Sequence, residues 1–185
     1  KTGYQYPYQS YSQVVVQDYP FPGLNSQHNA SIISDNYIDD YGVHKVFKYL
    51  WDGVALQALA GQWFGNLLMP KSWGDIWLNN AFNQYFAGLY SEKCNSRTEY
   101  LTYIQPFEKS NVLADWSAGN IHPVSTNNFK DKSAFINDSY SKYKGALILH
   151  LLQKEGEMMF GGKQFDYILR PLLTSKFPHL TFKIL

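Results

Sequence analysis

The sequence predicts an α+β domain in which helix dominates, with a small β part placed before the helices. Three observations carry that expectation. The strongest strand-like run, Tyr11–Gln17 ("YSQVVVQ"), is rich in β-branched residues and lies near the start of the chain. From Val43 onward apolar residues recur at spacings of three and four, beginning with Val46, Leu50, Val54 and the Leu56, Leu59 and Trp63 set. Farther on, Tyr140–Gln153 carries Ala146, Leu147, Leu149, His150 and Leu151, a helix to be buried on most sides.

The elements follow in order. Residues 1–38 form the β-rich part and 39–185 the helical part of one domain, without internal repeat or low-complexity linker. After the first strand, "DYPFPG" breaks the pattern with two prolines and a glycine. Ala30–Ser34 ("ASIIS") reads as a short second strand. The first helical stretch runs from Val43 to Phe64; Asp52-Gly53 is a point where it can split in two, and Met69-Pro70 ends it. Asp75–Tyr90 is the next helix, with Ile76, Phe82, Phe86 and Leu89 on its apolar face. Ser96–Tyr103 opens another, Ser96 as N-cap and Glu99 three residues later making a capping box. Residues 110–131, with Asn, Ser, Gly and His122-Pro123, read as loop. A helical region starts at Asp131 or Ser133 and strengthens across Tyr140–Gln153. Gly161-Gly162 interrupts it, and Phe165–Leu173 is a last helix that Pro171 bends or ends.

The bulk properties narrow the function classes. A chain of 185 residues, 45% hydrophobic and 17% aromatic, is long and apolar enough for a sizeable core. Sixteen basic against 15 acidic residues leave a net charge of +1, with no basic stripe, so neither nucleic acid nor an anionic membrane is expected as partner. One cysteine, Cys94, excludes an internal disulfide and a multi-cysteine metal site. No apolar run approaches the roughly 18 to 20 residues that span a bilayer. No signal peptide is visible, and the abrupt ends ("KTGYQYPYQSY", "HLTFKIL") suggest a piece of a longer protein. The compartment stays open, an extracytoplasmic one favoured. Asn29-Ala30-Ser31 and Asn137-Asp138-Ser139 fit the glycosylation sequon, which counts only in a eukaryotic secretory setting.

The stretch Gln62-Trp63-Phe64-Gly65-Asn66, followed by Trp77-Leu78-Asn79, resembles the aminopeptidase N family of gluzincin zinc metallopeptidases. There the pattern runs H-E-x-x-H-Q-W-F-G-N and later W-L-N-E-G-F. Gln62 to Asn66 are identical to it, and the 18 residues between Gly61 and Asn80 match its spacing. "YKGALILHLL" (Tyr143–Leu152) resembles a further block, Y-x-K-G-A-x-x-L-x-x-L, and His122-Pro123 a pair that precedes it. The matches span roughly residues 8 to 175. The resemblance implies a fragment of a thermolysin-like (zincin) catalytic domain.

It also implies where the chemistry should stand, and those positions are substituted. Two histidines at i and i+4 would grip zinc from one helix face; here they are Gln57 and Gly61. The general base between them is Ala58, and the third ligand on the second helix is Asn80. The oxyanion-stabilising tyrosine, three residues before Gly145, is Lys142, with Tyr140 and Tyr143 flanking it. In a helix both tyrosines would turn away from the site. The substrate-amine loop falls in "PGLNSQHNASII", which sets Asn25, or His28 in a shifted placement, where a glutamate should be. Asp75 matches an acidic position that orients a zinc-bound histidine; without that histidine it is expected as a residue at a helix N-terminus.

No two of His28, His44, His122, His150 and His179 stand at i, i+3 or i, i+4, so a relocated metal site is not expected. His150 is expected in the core and His122 in a loop; Lys142 is expected solvated rather than nucleophilic, and Cys94 to have no catalytic role. The early tyrosines (Tyr4, Tyr6, Tyr8, Tyr11) suit sheet residues that covered other parts of a longer protein, or a binding surface. Trp63, Phe64, Trp77, Phe82 and the Lys144-Gly145-Ala146 helix start are expected to pack the helices. The expectation is therefore a catalytically inactive, metal-free pseudopeptidase with no cofactor, zinc included. Its cleft, lined by Gln57, Asn80, Trp63, Tyr140 and Tyr143, would take a peptide or pack on a neighbouring domain. The competing reading is a zinc aminopeptidase, or an altered hydrolase whose site has moved to a shifted tyrosine or histidine.

Overall fold

The computed structural model describes residues 6, 8–19, 25–38, 40–125, 139–160 and 179–180. Three strands come first: β1 (Ser12–Val16), β2 (Asn25–Gln27) and β3 (Ala30–Ser34). Their order is β1-β3-β2, with β1 parallel and β2 antiparallel to the central β3. A two-residue turn, His28-Asn29, joins β2 to β3, and Asn29 takes the positive φ of 55° that this residue type tolerates better than most. Sequence pattern finds β1 and β3 but not β2, because "NSQ" contains no β-branched or aromatic residue.

Helix α1 (Tyr41–Ala60) begins at an Asp40 cap whose carboxylate accepts from the Val43 N–H at 3.0 Å. It passes Asp52-Gly53 unbroken. An interior glycine costs about 1 kcal/mol relative to alanine, too little to divide a helix with tertiary support along its length. A 3₁₀ turn, Trp73–Asp75, leads into α2 (Ile76–Cys94). Then α3 (Arg97–Glu99) starts from Ser96, whose hydroxyl accepts from the Glu99 N–H at 3.0 Å, half of the expected capping box. The Glu99 carboxylate accepts from Asn95 Nδ2 at 2.7 Å.

A π-helical turn, Tyr100–Ile104, carries the chain into α4 (Gln105–Ser117). This helix overturns the loop expected from residue 110. Its outer face is polar and leaves Leu113 and Trp116 exposed, so its periodicity is weak, but its inner face packs on α5 (Ser139–Phe160). The Lys144-Gly145-Ala146 stretch thus lies inside α5 rather than at its start. The expected start at Asp131 or Ser133, the Gly161-Gly162 break and the helix over Phe165–Leu173 lie outside the described residues. Two short strands, β4 (Met69–Pro70) and β5 (His179–Leu180), pair in parallel.

The core forms around α2, which packs against both α1 and α5. Phe64, Leu78, Phe82, Tyr85, Ala146 and Leu149 are buried within it. Phe64 and Phe82 stack with centroids 4.6 Å apart. A Cβ on Gly145 would stand 2.6 Å from Ala81 Cβ and 3.1 Å from Trp77 Cε3, so the glycine sets how closely α5 approaches α2. No described helix is long and apolar enough to cross a membrane.

Candidate active-site cleft

The expected cleft residues are positioned by the way α1 ends. Gly61 caps the helix, its N–H donating to the Gln57 carbonyl at 3.0 Å. The chain then turns through Gly65 at φ +139°, where a side chain would be strained. A Cβ there would lie 3.3 Å from the Gly61 carbonyl and 3.7 Å from Asn79 Nδ2. The end of α1 therefore meets the opening turns of α2. Gln62, fully buried, ties the hairpin to the same place: its Oε1 accepts from the Asn29 N–H at 2.9 Å and the Tyr6 hydroxyl at 3.4 Å. Its Nε2 donates to the Ala30 carbonyl at 3.2 Å. Buried amide groups must be matched in this way, which gives the Gln of Q-W-F-G-N a structural task.

Each expected site residue can then be placed. Ala58 is 1% exposed and its carbonyl accepts from Ser31 Oγ at 3.4 Å. Gly61 is buried, Gln57 and Asn80 half-buried. Asn25 lies in β2, paired with Ile32, and His28 in the adjoining turn, exposed and edge-on to Tyr8 at 5.9 Å. Asp75 stands at the N-cap of α2, accepting from Ser72 Oγ at 2.7 Å. Trp63 follows the end of α1, half-buried, with its ring against Tyr6 at 5.4 Å. Tyr140 is buried, in contact with the His122 ring at 5.0 Å, and its hydroxyl accepts from Lys144 Nζ at 3.1 Å. His150 is a core residue, Nδ1 3.3 Å from the Tyr100 hydroxyl.

Lys142 departs from expectation. It is half-buried rather than fully solvated, its ammonium 4.5 Å over the Tyr143 ring. Desolvation brings it down to about 8, opposed by the charge of Glu108. Glu108 on α4 is 2% exposed; burial pushes its carboxyl up to about 7 against the hydrogen bond from Gln84 Nε2 (2.9 Å) and the charge of Lys142. Tyr143 is raised to about 12, first by burial, then by the charges of Glu108 and Tyr37. Glu108 and Gln84 were not found from sequence. Their only signal is that Gln84 lies one helical turn beyond Asn80 on the same face of α2.

The donor set does not fit a zinc ion. Zinc takes thiolate, imidazole or carboxylate, and positions 57, 58, 61 and 80 supply two neutral amides, a methyl and a hydrogen. Among the described residues, no three His, Cys, Asp or Glu side chains come together.

The sequence profile of the peptidase family M1 domain matches residues 1–179. The chain belongs to peptidase family M1. Within that family, this M1 chain is 32% identical over 101 residues to aminopeptidase A of Gloydius brevicauda, covering 54% of the chain and 11% of the relative. With aminopeptidase N of Canis lupus familiaris it shares 32% identity over 103 residues, again 54% of the chain and 11% of the relative. Similarity to transcription initiation factor TFIID subunit 2 of Schizosaccharomyces pombe is lower, 25%, but runs over 170 residues, 91% of the chain and 14% of that protein. The M1 chain thus spans only a small part of the length of each of these relatives.

Proposed function

We propose that this M1 chain is a metal-free, catalytically inactive peptidase-like domain that serves as a peptide- or protein-binding or structural module. The donor set at the four metal and base positions carries the reading. A zinc site draws roughly 10 to 16 kcal/mol from a full set of charged or imidazole ligands, and two amides do not replace them. The methyl of Ala58 takes no proton, and general base catalysis is worth about 100- to 10,000-fold. Lys142, where the oxyanion tyrosine would stand, offers no phenol, and desolvation lowers its ammonium to about 8. The similarity to TFIID subunit 2, named for a transcription factor assembly, covers more of the chain than that to either aminopeptidase. It supports use of the M1 fold as a part of a larger assembly.

In this reading the half-buried amides of Gln57 and Asn80 meet a peptide or a neighbouring domain of the longer protein, and neither nucleic acid nor a membrane is the partner. Metal analysis of the purified protein, combined with an aminoacyl-anilide assay, tests it. The expected result is substoichiometric zinc and no turnover above background. Stoichiometric zinc together with chelator-sensitive hydrolysis would establish an aminopeptidase instead.

A further inference from the structure

Lys142 and Tyr143 on α5, Glu108 on α4 and Gln84 on α2 form a cluster of polar groups that links three helices. Glu108, 2% exposed, accepts from Gln84 Nε2 at 2.9 Å, and its charge acts on both Lys142 and Tyr143. Tyr143 is itself buried, and Lys142 Nζ lies over its ring, 4.5 Å from the centroid.

This lysine stands apart from its neighbours on α5. Lys144 Nζ donates to the Tyr140 hydroxyl at 3.1 Å, and Lys154 Nζ pairs with Glu157 at 2.6 Å. Lys142 is half-buried, and among the described residues its Nζ has neither a hydrogen-bond acceptor nor an ion-pair partner, only the ring and the field of Glu108. An ammonium withdrawn from water without an acceptor is disfavoured against the neutral amine. Its ammonium accordingly falls to about 8. That leaves roughly a tenth of it as free amine at pH 7, against about a thousandth or less for an ordinary lysine. A desolvated amine of this kind is a nucleophile.

We propose that Lys142 captures aldehydes as imines. The free amine attacks the carbonyl carbon, forming the C–N bond, and the carbonyl oxygen takes up a proton from the nitrogen. The C–O bond then breaks and the oxygen leaves as water with the second proton of the amine, so no oxidant or reductant is needed. Charge selects the aldehyde over other electrophiles. A protonated imine keeps a cation over the Tyr143 ring and in the field of Glu108. An amide formed by acyl transfer would remove that cation, and a carbamate formed from carbon dioxide would set an anion near a buried carboxyl. None of the groups at 57, 58, 61 and 80 takes part, so the proposal is independent of the pseudopeptidase reading.

The test exposes the purified protein to limiting 2-hydroxybenzaldehyde at pH 7, fixes the imine as a secondary amine with borohydride, and locates it by peptide mass mapping. Lys142 should carry at least about tenfold more label than Lys144 or Lys154. Its labelling should rise with pH about a midpoint near 8. Before reduction, the imine absorbance should saturate at one site per chain and be lost in Lys142→Arg. Glu108→Gln removes a charge that holds the proton on Lys142, so it should lower the midpoint, a shift that a purely structural role would not give. Label spread evenly over the three lysines, a Lys142 midpoint at about 10 or above, a midpoint unmoved in Glu108→Gln, or an imine absorbance unchanged in folded Lys142→Arg would each overturn the proposal.

Discussion

The aromatic core and the expected site positions are built from the same helices and differ in the chemistry they carry. In the core, Phe64, Trp77, Phe82 and Gly145 all do work that packing requires: two rings stack at 4.6 Å, and a missing Cβ lets α5 close on Trp77 and Ala81. In the cleft, residues 57, 58, 61 and 80 carry no charge and no imidazole. Trp77 and Ala81 of α2 meet Gly145, and Asn80 and Gln84, each three residues on from them, share that side of the helix, with Gln84 reaching Glu108. The difference lies in the chemistry of each position and not in its face. In the proposed reading the M1 scaffold keeps its glutamine, tryptophans and glycines for packing, independently of any metal ligand.

The largest test of that separation rebuilds the chemistry on the existing packing. The fourfold variant Gln57→His, Ala58→Glu, Gly61→His, Asn80→Glu should take up one zinc ion per chain, measurable by a competing chromophoric chelator, since a full ligand set contributes on the order of 10 kcal/mol. Failure to bind zinc in a variant with the parent's circular dichroism would mean that these positions do not converge. Next in size is damage to the other region. Phe82→Ala should cost about 3 to 5 kcal/mol in a urea melt, the usual range for deleting a buried aromatic. A loss under about 1 kcal/mol would show that the stacked rings are not where stability resides.

How much of this could be read from the chain alone follows the same division. Packing residues announce themselves by period and by motif, so β1, β3, α1, α2 and the central part of α5 were legible. Elements held by partners outside their own segment were not. "NSQ" becomes a strand only because β3 lies beside it, and α4 is a helix because its inner face reaches α5. The expected site positions 57, 58, 61 and 80 rest on the spacing of the motif around them, Gln62 to Asn66 and Trp77 to Asn79. The environment of Lys142 was not. A lysine beside a tyrosine reads as a surface residue until α4 brings a buried carboxylate to it. Gln62 carried a signal that spacing does not decode: a polar amide retained at the end of an apolar helix, explained only once three partners surround it.

Glu108 gives the smallest effect and the one that joins the two regions, since it is buried among the helices and feels the charge of Lys142. Its carboxyl is raised from 4.5 to about 7, chiefly by burial, so the native state holds this proton where the unfolded chain has released it. Below about pH 4.5 both states are protonated and the group has no effect. Between pH 4.5 and about 7 the unfolded state binds fewer protons, so stability falls as pH rises, and the full cost is present above pH 7. Lys142, lowered to about 8, adds a trend of opposite sign only above that value, where the unfolded chain keeps the proton longer. Glu108→Gln removes the titration and keeps an amide that can still meet Gln84. Its stability relative to the parent should therefore improve between pH 5 and pH 7.5, by up to about 3 kcal/mol at about 1.4 kcal/mol per pKa unit. Urea melts at those two pH values measure it. A difference between the two proteins that does not change with pH would mean that Glu108 is ionised in the native state throughout, held by Lys142 rather than neutralised by its burial.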